Sequence, residues 1–282
     1  MSNILIADSG ATSSSWCLIN GGIVITSFIT NGISPIYQSV DEISIEIERV
    51  VYPHLSNIDI NIDAIRFYCA GCIPENIDGV KKAIYNSFNI DDIEVNSDLV
   101  AVAHALCGSS SGIACIMGTG SNSCEWDGTK IVKHVPPLGF ILGDEGSGAS
   151  LGKMLVGDIL KNQLPDTVKD KFLTQYKLTQ ADILRKVYRE PFPSRFLSSL
   201  SPFILQNIDE PSVRNIAERG FNNFFERNVM QYNYQDNNVN IIGSVGWHYS
   251  EIIKQIASQK GITIGKIEQS PMDGLVKYYK HA

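Results

Sequence analysis

Ile113-Ala114-Cys115-Ile116-Met117-Gly118-Thr119-Gly120-Ser121-Asn122-Ser123-Cys124 decides how the chain is read. An unbroken apolar run is what a strand buried on both faces looks like, and the glycines after it mark a tight turn. A glycine turn presents N–H groups with no Cβ in the way, and such nests bind phosphate oxygens. Thr119, Ser121 and Asn122 add side-chain donors to the same turn. Clusters of Gly, Ser, Thr and Asn also form plain hairpin turns, so this stretch alone leaves both readings open.

A second copy raises the phosphate reading. Ile6-Ala7-Asp8-Ser9-Gly10-Ala11-Thr12-Ser13-Ser14-Ser15-Trp16 repeats the isoleucine, the middle glycine and the closing tryptophan of Ile116–Trp126 at equal offsets. Each copy runs on to a hairpin dipeptide, Asn20-Gly21 and Asp127-Gly128, of the type that suits a two-residue turn. Two strand–polar turn–strand–hairpin units predict two related halves with a ligand pinched between them. The linker-like Gly108–Gly112 sets the boundary, giving domains 1–110 and 111–282. The last helix, from about Pro271, has the option of packing back on the first domain.

Composition narrows the partners. A chain of 282 residues, 44% apolar and 19% charged, is an ordinary globular protein with room for two cores. A net charge of −7 argues against a nucleic-acid partner, which needs a basic face. No apolar run reaches bilayer length, and Met1-Ser2-Asn3 leads straight into a strand, so neither membrane nor secretory signal is expected. The six cysteines lie mostly in apolar segments, as buried thiols of a cytoplasmic protein do. Cys69 and Cys72 alone are closely spaced, a pair read as structural thiols and too few for a metal cluster.

Along the chain, strands are expected over Asn3–Ala7, Ser15–Ile19, Ile23–Thr30, Ala64–Ala70, Ile93–Asn96 and Val239–Ile242. Asp8 ends the first strand, either as an Asx-type turn former or to orient a metal-bound water beside phosphates. Asp98, with Ser97, stands where a strand opens into a helix of about Leu99–Leu106, the place where open α/β sheets bind ligands. Capping alone also accounts for a serine and an aspartate there. Helices are expected over Val40–Val51, Ile77–Phe88, Thr179–Val187, Arg195–Gln206, Ser212–Tyr232 and Ser250–Lys260. Beyond Asp144, Leu151, Leu155 and Ile159 keep helical spacing amid glycines that each weaken a helix by about 1 kcal/mol. Close approach of a backbone or ligand would offset that cost. Lys161–Asp236 holds no recognisable chemistry.

With these residues in hand, the chain resembles the N-acetylglucosamine kinase and BadF/BadG ATPase family of the actin, sugar-kinase and heat-shock-chaperone superfamily. Asp8-Ser9-Gly10-Ala11-Thr12 is similar to its first phosphate motif, Gly118-Thr119-Gly120-Ser121-Asn122 to its second, and Ile242-Gly243-Ser244-Val245 to its adenosine motif. Gly143-Asp144-Glu145-Gly146-Ser147 resembles the stretch after the sugar site of the kinase branch. The resemblance implies an α/β fold of two ribonuclease-H-like, actin-like ATPase domains flanking a cleft. It implies ATP and Mg2+ as cofactors and an amino sugar, foremost N-acetylglucosamine, as substrate; a homodimer is left open. Asp98 would be the catalytic base. Asp8, Gly10, Thr12, Ser13, Gly118, Thr119 and Gly120 would hold phosphates, with Asp8 reaching the metal through water. Asn31, Asn122 and Asp144 would meet sugar hydroxyls, and Gly243, Ser244 and Val245 adenosine.

Departures keep two alternatives in view. Ser13 stands where many relatives carry a cation, which suits a sugar-sensing regulator with weak turnover. A BadF-type ATPase that activates a partner enzyme would need cluster cysteines, and only Cys69 and Cys72 offer themselves. The Gly-x-x-x-x-Gly-Lys phosphate loop is absent from the chain, which excludes that solution.

Overall fold

The computed structural model describes residues 2–10, 13–36 and 38–281 and divides the chain into two compact units, Met1–Ser109 with Pro271–Ala282, and Ser110–Ser270. In the first, strands β1 (Asn3–Ser9), β2 (Ser13–Asn20) and β3 (Ile23–Asn31) form an antiparallel meander. Helices α1 (Val40–Val50) and α2 (Tyr52–Leu55) then lead to β4 (Ala64–Cys69), and α3 (Pro74–Phe88) leads to β5 (Ile93–Ser97) and α4 (Asp98–Leu106). β4 lies parallel to β1, and β5 parallel to β4, so the sheet order is β3-β2-β1-β4-β5. β1 and β4 sit inside this sheet and are covered on both faces, which is why their apolar runs do not alternate. One face carries Leu5, Leu18, Phe67 and Ile84; the other carries Ile4, Ile6, Ile19 and Tyr68.

The second unit repeats the plan. Strands β6 (Gly112–Met117), β7 (Ser121–Trp126) and β8 (Ile131–His134) form its meander. Helices follow: α5 (Gly139–Leu142), α6 (Gly148–Leu160), α7 (Asp166–Tyr176), α8 (Gln180–Tyr188), α9 (Pro193–Gln206) and α10 (Pro211–Arg227). Then come β9 (Val239–Ile242), α11 (Ser244–His248), α12 (Ser250–Gln259) and β10 (Ile264–Glu268). The order β10-β9-β6-β7-β8 is that of the first sheet, strand for strand. The glycines of α6 are explained by α9: a Cβ on Gly152 would land on the Leu197 carbonyl, and one on Gly148 on the Ser198 hydroxyl. The last helix, α13 (Met272–Tyr278), belongs to the first unit, where Leu275 is fully buried and Gly274 lies on Ala105 of α4.

Two expectations are corrected. The equal spacing of Trp16 and Trp126 is not a structural equivalence, because the turns of the two hairpins fall at different points. Trp16 lies opposite Ala7 beside its turn, whereas Trp126 lies opposite Gly112 at the far end of its hairpin. The repeat is real in topology but not in that register. Cys69 and Cys72 are joined in a disulfide instead of remaining thiols; the turn after β4 brings their Cα atoms to 5.5 Å, inside the range a disulfide spans. No helix among the described residues is long and apolar enough to cross a membrane.

Candidate functional site

In the first unit the candidate groups Asp8 and Asp98 stand at the carboxyl ends of parallel strands. Ser9 of β1 pairs with Cys69 of β4, and Cys69 with Ser97 of β5, so Asp8 and Asp98 stand two strands apart on one sheet edge. The cap of α4 is Ser97, whose hydroxyl accepts from Val100 N–H; Asp98 is the first helical residue, not the cap. Its Oδ1 accepts from Leu99 N–H at 2.9 Å. Burial pushes the Asp98 carboxyl up to about 6, against the pull of the Leu99 N–H and its own backbone N–H. Burial pushes Asp8 up to about 7, and the negative charge of Asp98 adds to the rise. Both carboxylates are half-buried, and burial is the main cause of the rise in each.

The turn between β1 and β2 is closed by Gly10 N–H donating to the Ser13 carbonyl at 2.9 Å. Ser9 Oγ donates to the Ile33 carbonyl at 2.7 Å, and Ile33 N–H donates back to it at 2.9 Å, which fastens the turn to the segment after β3. Ser13 is exposed at the start of β2. Thr12, assigned to phosphate from the sequence, lies outside the described residues. Asn31 ends β3 opposite Ser13, but its amide donates to Glu46 of α1 at 3.4 Å and lines a recess with Arg49, Pro53 and His54.

In the second unit the turn Gly118–Gly120 is closed by Gly118 N–H donating to the Gly120 carbonyl at 2.9 Å. The start of α6 ties it down: Gly148 N–H donates to the Gly118 carbonyl at 2.8 Å and Ala149 N–H to that of Thr119 at 3.1 Å. Among the described residues no protein group takes the N–H of Thr119 or Gly120, and the space over Gly118 is open. Asp144, in the left-handed region at φ 53°, lies with its carboxylate against Gly120 and accepts from Ser121 N–H at 3.4 Å. Burial raises its proton affinity and Glu145 adds to this, while Ser121 and Lys153 oppose it. The Asn122 Oδ1 is already engaged, by Ser123 N–H and by His134 Nε2, each at 2.9 Å.

Gly243 adopts φ 122° under the Met117 carbonyl, a position closed to any side chain, and starts α11. Ser244 and Val245 line a recess of about 350 Å³ with Ser198, Ser201 and Gln206 of α9, and with His248 and Tyr249. Ser198 also meets Gly148, which in turn meets Gly118, so recess and glycine turn are neighbours. The wall from α9 is what sequence reasoning missed. Its residues, Ser198, Ser201, Pro202, Leu205 and Gln206, mix polar and apolar side chains within a helical block without motif, and the signal that could have found it is the Gly148/Gly152 spacing that demands a close helix partner.

No protein-family model and no curated protein matches the chain. Among solved structures it is similar to a candidate N-acetylglucosamine kinase from Porphyromonas gingivalis, with 45% identity, 98% of each chain covered and a TM-score of 0.95. A candidate N-acetylglucosamine kinase from Chromobacterium violaceum shares 13% identity over 99% of each chain at a TM-score of 0.77. A ROK hexokinase from Thermus thermophilus shares 12% identity over 98% of this chain and 96% of its own at 0.58. The latter two carry the fold alone. The first, nearly half identical from end to end, carries more: the chain belongs to the N-acetylglucosamine kinase family, sugar kinases with the actin-like ATPase fold.

Proposed function

We propose that the protein transfers the terminal phosphoryl group of ATP to a hydroxyl of an amino sugar, N-acetylglucosamine foremost. The observation that carries this is the placement of Asp8 and Asp98 at the carboxyl ends of parallel strands of one sheet, with the Asp98 carboxylate held by the Leu99 N–H. A base that takes a hydroxyl proton works best when its pKa lies near the working pH, and Asp98 meets that condition.

The residues present fit the nucleotide and its metal. The untaken N–H groups of Thr119 and Gly120 suit phosphate oxygens, and the adjoining recess suits a nucleoside. Asp8 would hold Mg2+ through water, and such an ion would not require a dedicated cage of side chains. When bound, Mg2+·ATP supplies an electrophilic phosphoryl group and a charge-neutralised leaving group. The chain's own share is positioning and proton transfer. Gly118–Gly120 orients phosphates, Ser244 and Val245 hold the nucleoside, and Asp144 accepts from sugar hydroxyls. Asp98 takes the proton of the attacking hydroxyl, its carboxylate kept in place by the Leu99 N–H. Phosphoryl transfer leaves little covalent work for the protein, so these tasks account for most of the rate.

ADP release over a panel of hexoses and N-acetylhexosamines tests the reading. Sugar-dependent ADP with N-acetylglucosamine as the best acceptor supports it. Sugar binding without ADP would convert the protein to a sensor, and sugar-independent ADP would point to an ATPase that serves a partner.

A further inference from the structure

The turn that presents Asp144 is built around its neighbour. Asp144 at φ 53° and Gly146 at φ 72° both adopt the left-handed region, one on each side of Glu145. A non-glycine residue leaves that region readily unless its surroundings hold it there. Gly146 is pressed between α10 and the end of β6, where a Cβ would meet Phe224 of the helix and Met117 of the strand. One turn further along the same helix end, the Glu145 carboxylate receives Arg227 Nε at 3.0 Å and Asn228 Nδ2 at 3.4 Å. The Glu145 side chain is 12% exposed and Asn228 is buried, whereas Arg227 is largely in solvent. The Glu145 carbonyl accepts from Ser121 Oγ at 2.8 Å, on the residue whose N–H holds Asp144. Keeping a second carboxylate beside Asp144 costs repulsion that a glutamine would avoid. The chain accepts that cost and offsets it with Arg227.

We propose that Glu145 is a positioning residue for sugar binding: clamped by Arg227 and Asn228 at the end of α10, it holds the left-handed turn that presents the Asp144 carboxylate to sugar hydroxyls. The inference rests on the amino-sugar reading of Asp144 and adds the residues that make it work. The charges facing Asp144 are Glu145 on its own turn and Lys153 on α6, with Arg227 on α10 behind Glu145. Removing the Glu145 charge therefore lowers the Asp144 proton affinity. Asp144 must be ionised to accept from hydroxyls, so the acid limb of kcat/KM for sugar moves to lower pH.

The test uses the full chain with the sugar chosen by the ADP-release panel, and compares Asp144→Ala, Glu145→Gln and Glu145→Ala. Losing a charge-assisted hydrogen bond to substrate corresponds to about tenfold in affinity or more, which sets the expected rise in sugar KM for Glu145→Ala. Glu145→Gln should fall between it and wild type, since its single amide oxygen still accepts from Arg227 or from Asn228 but cannot keep both contacts of the carboxylate, and its acid limb should move down. KM for ATP should stay put in both. A purely structural role lowers the active fraction and the melting temperature and leaves sugar KM alone; that outcome overturns the inference. Should Glu145→Ala not fold, the near-isosteric glutamine variant decides by its KM and pH profile. If Asp144→Ala raises sugar KM and neither Glu145 variant does, the positioning role fails and the sugar site stands. If Asp144→Ala changes nothing, or no sugar is phosphorylated, the sugar reading fails and the inference goes with it.

Discussion

Asp98 and Asp8 oppose each other, and the opposition has measurable consequences. Both carboxyls are raised in the folded protein, to about 6 and about 7, from the ordinary aspartate value of 3.8. A raised acid favours folding while it stays protonated. The stability it allows is complete below about pH 4 and is lost as pH climbs through 6 to 7. For these two groups the ligand-free protein is therefore more stable at pH 5 than at pH 8. Asp98→Asn removes one charge and the repulsion on the other. It should shrink that difference and raise the melting temperature at pH 8, while kcat falls by roughly a hundred- to ten-thousand-fold. A full kcat in this variant would falsify the base assignment; an unchanged pH 5 to pH 8 difference would dissolve the pair. Asp8 was conspicuous in the sequence as a carboxylate at the end of an apolar strand, and Asp98 as the acidic member of a Ser-Asp pair that opens an apolar helix. Asn31 and Asn122 were less so: an asparagine amide finds local partners such as Glu46 and His134, which no spacing rule reveals.

Among the elements, α6 offers an internal control. Gly152 packs where its Cβ would strike the Leu197 carbonyl of α9, whereas Gly157, five residues on, has nothing within 4 Å. Gly152→Ala must push two helices apart and should cost about 1–3 kcal/mol. Gly157→Ala gains helix propensity and should add about 1 kcal/mol. Denaturant midpoints for the two variants check this; equal shifts would mean that α9 does not press on Gly152. The same contrast shows what the sequence made visible. Leu151, Leu155 and Ile159 reveal the helix, and the glycines reveal a close partner without naming it. α7 escaped notice because it buries only Val168 and Phe172, too sparse a stripe to register. β10 escaped because it is a sheet-edge strand with a glycine, an irregular register and no buried residue.

For the whole molecule, shared strand order makes each unit a complete sheet-and-helix body, yet the chain finishes the first unit only at its end. α13 and the residue that caps it return Leu275 and Tyr279 to the face that holds Ile4, Ile6, Ile19 and Tyr68. Tyr279 Oη meets Tyr68 Oη at 2.6 Å, and Tyr68 Oη also meets His104 Nδ1 at 2.8 Å. Deleting Pro271–Ala282 uncovers that face. Two large side chains buried at about 1.5–3 kcal/mol each set the loss at roughly 3–6 kcal/mol, nearly all of it from the first unit. Tyr279→Phe keeps the packing and drops one hydrogen bond, and should cost only about 1 kcal/mol because His104 still serves Tyr68. The tryptophans report on this separately: Trp16 is buried in the first unit, Trp126 in the second. With Trp247 replaced by phenylalanine, and then Trp16 or Trp126 as well, each remaining fluorophore follows its own unit through a urea titration. The Trp16 midpoint should fall sharply on truncation and slightly in Tyr279→Phe, while the Trp126 midpoint holds. If both reporters fall together, the units unfold as one cooperative body and the last helix stabilises the whole chain. If neither falls, its packing on the first sheet contributes nothing that matters to stability.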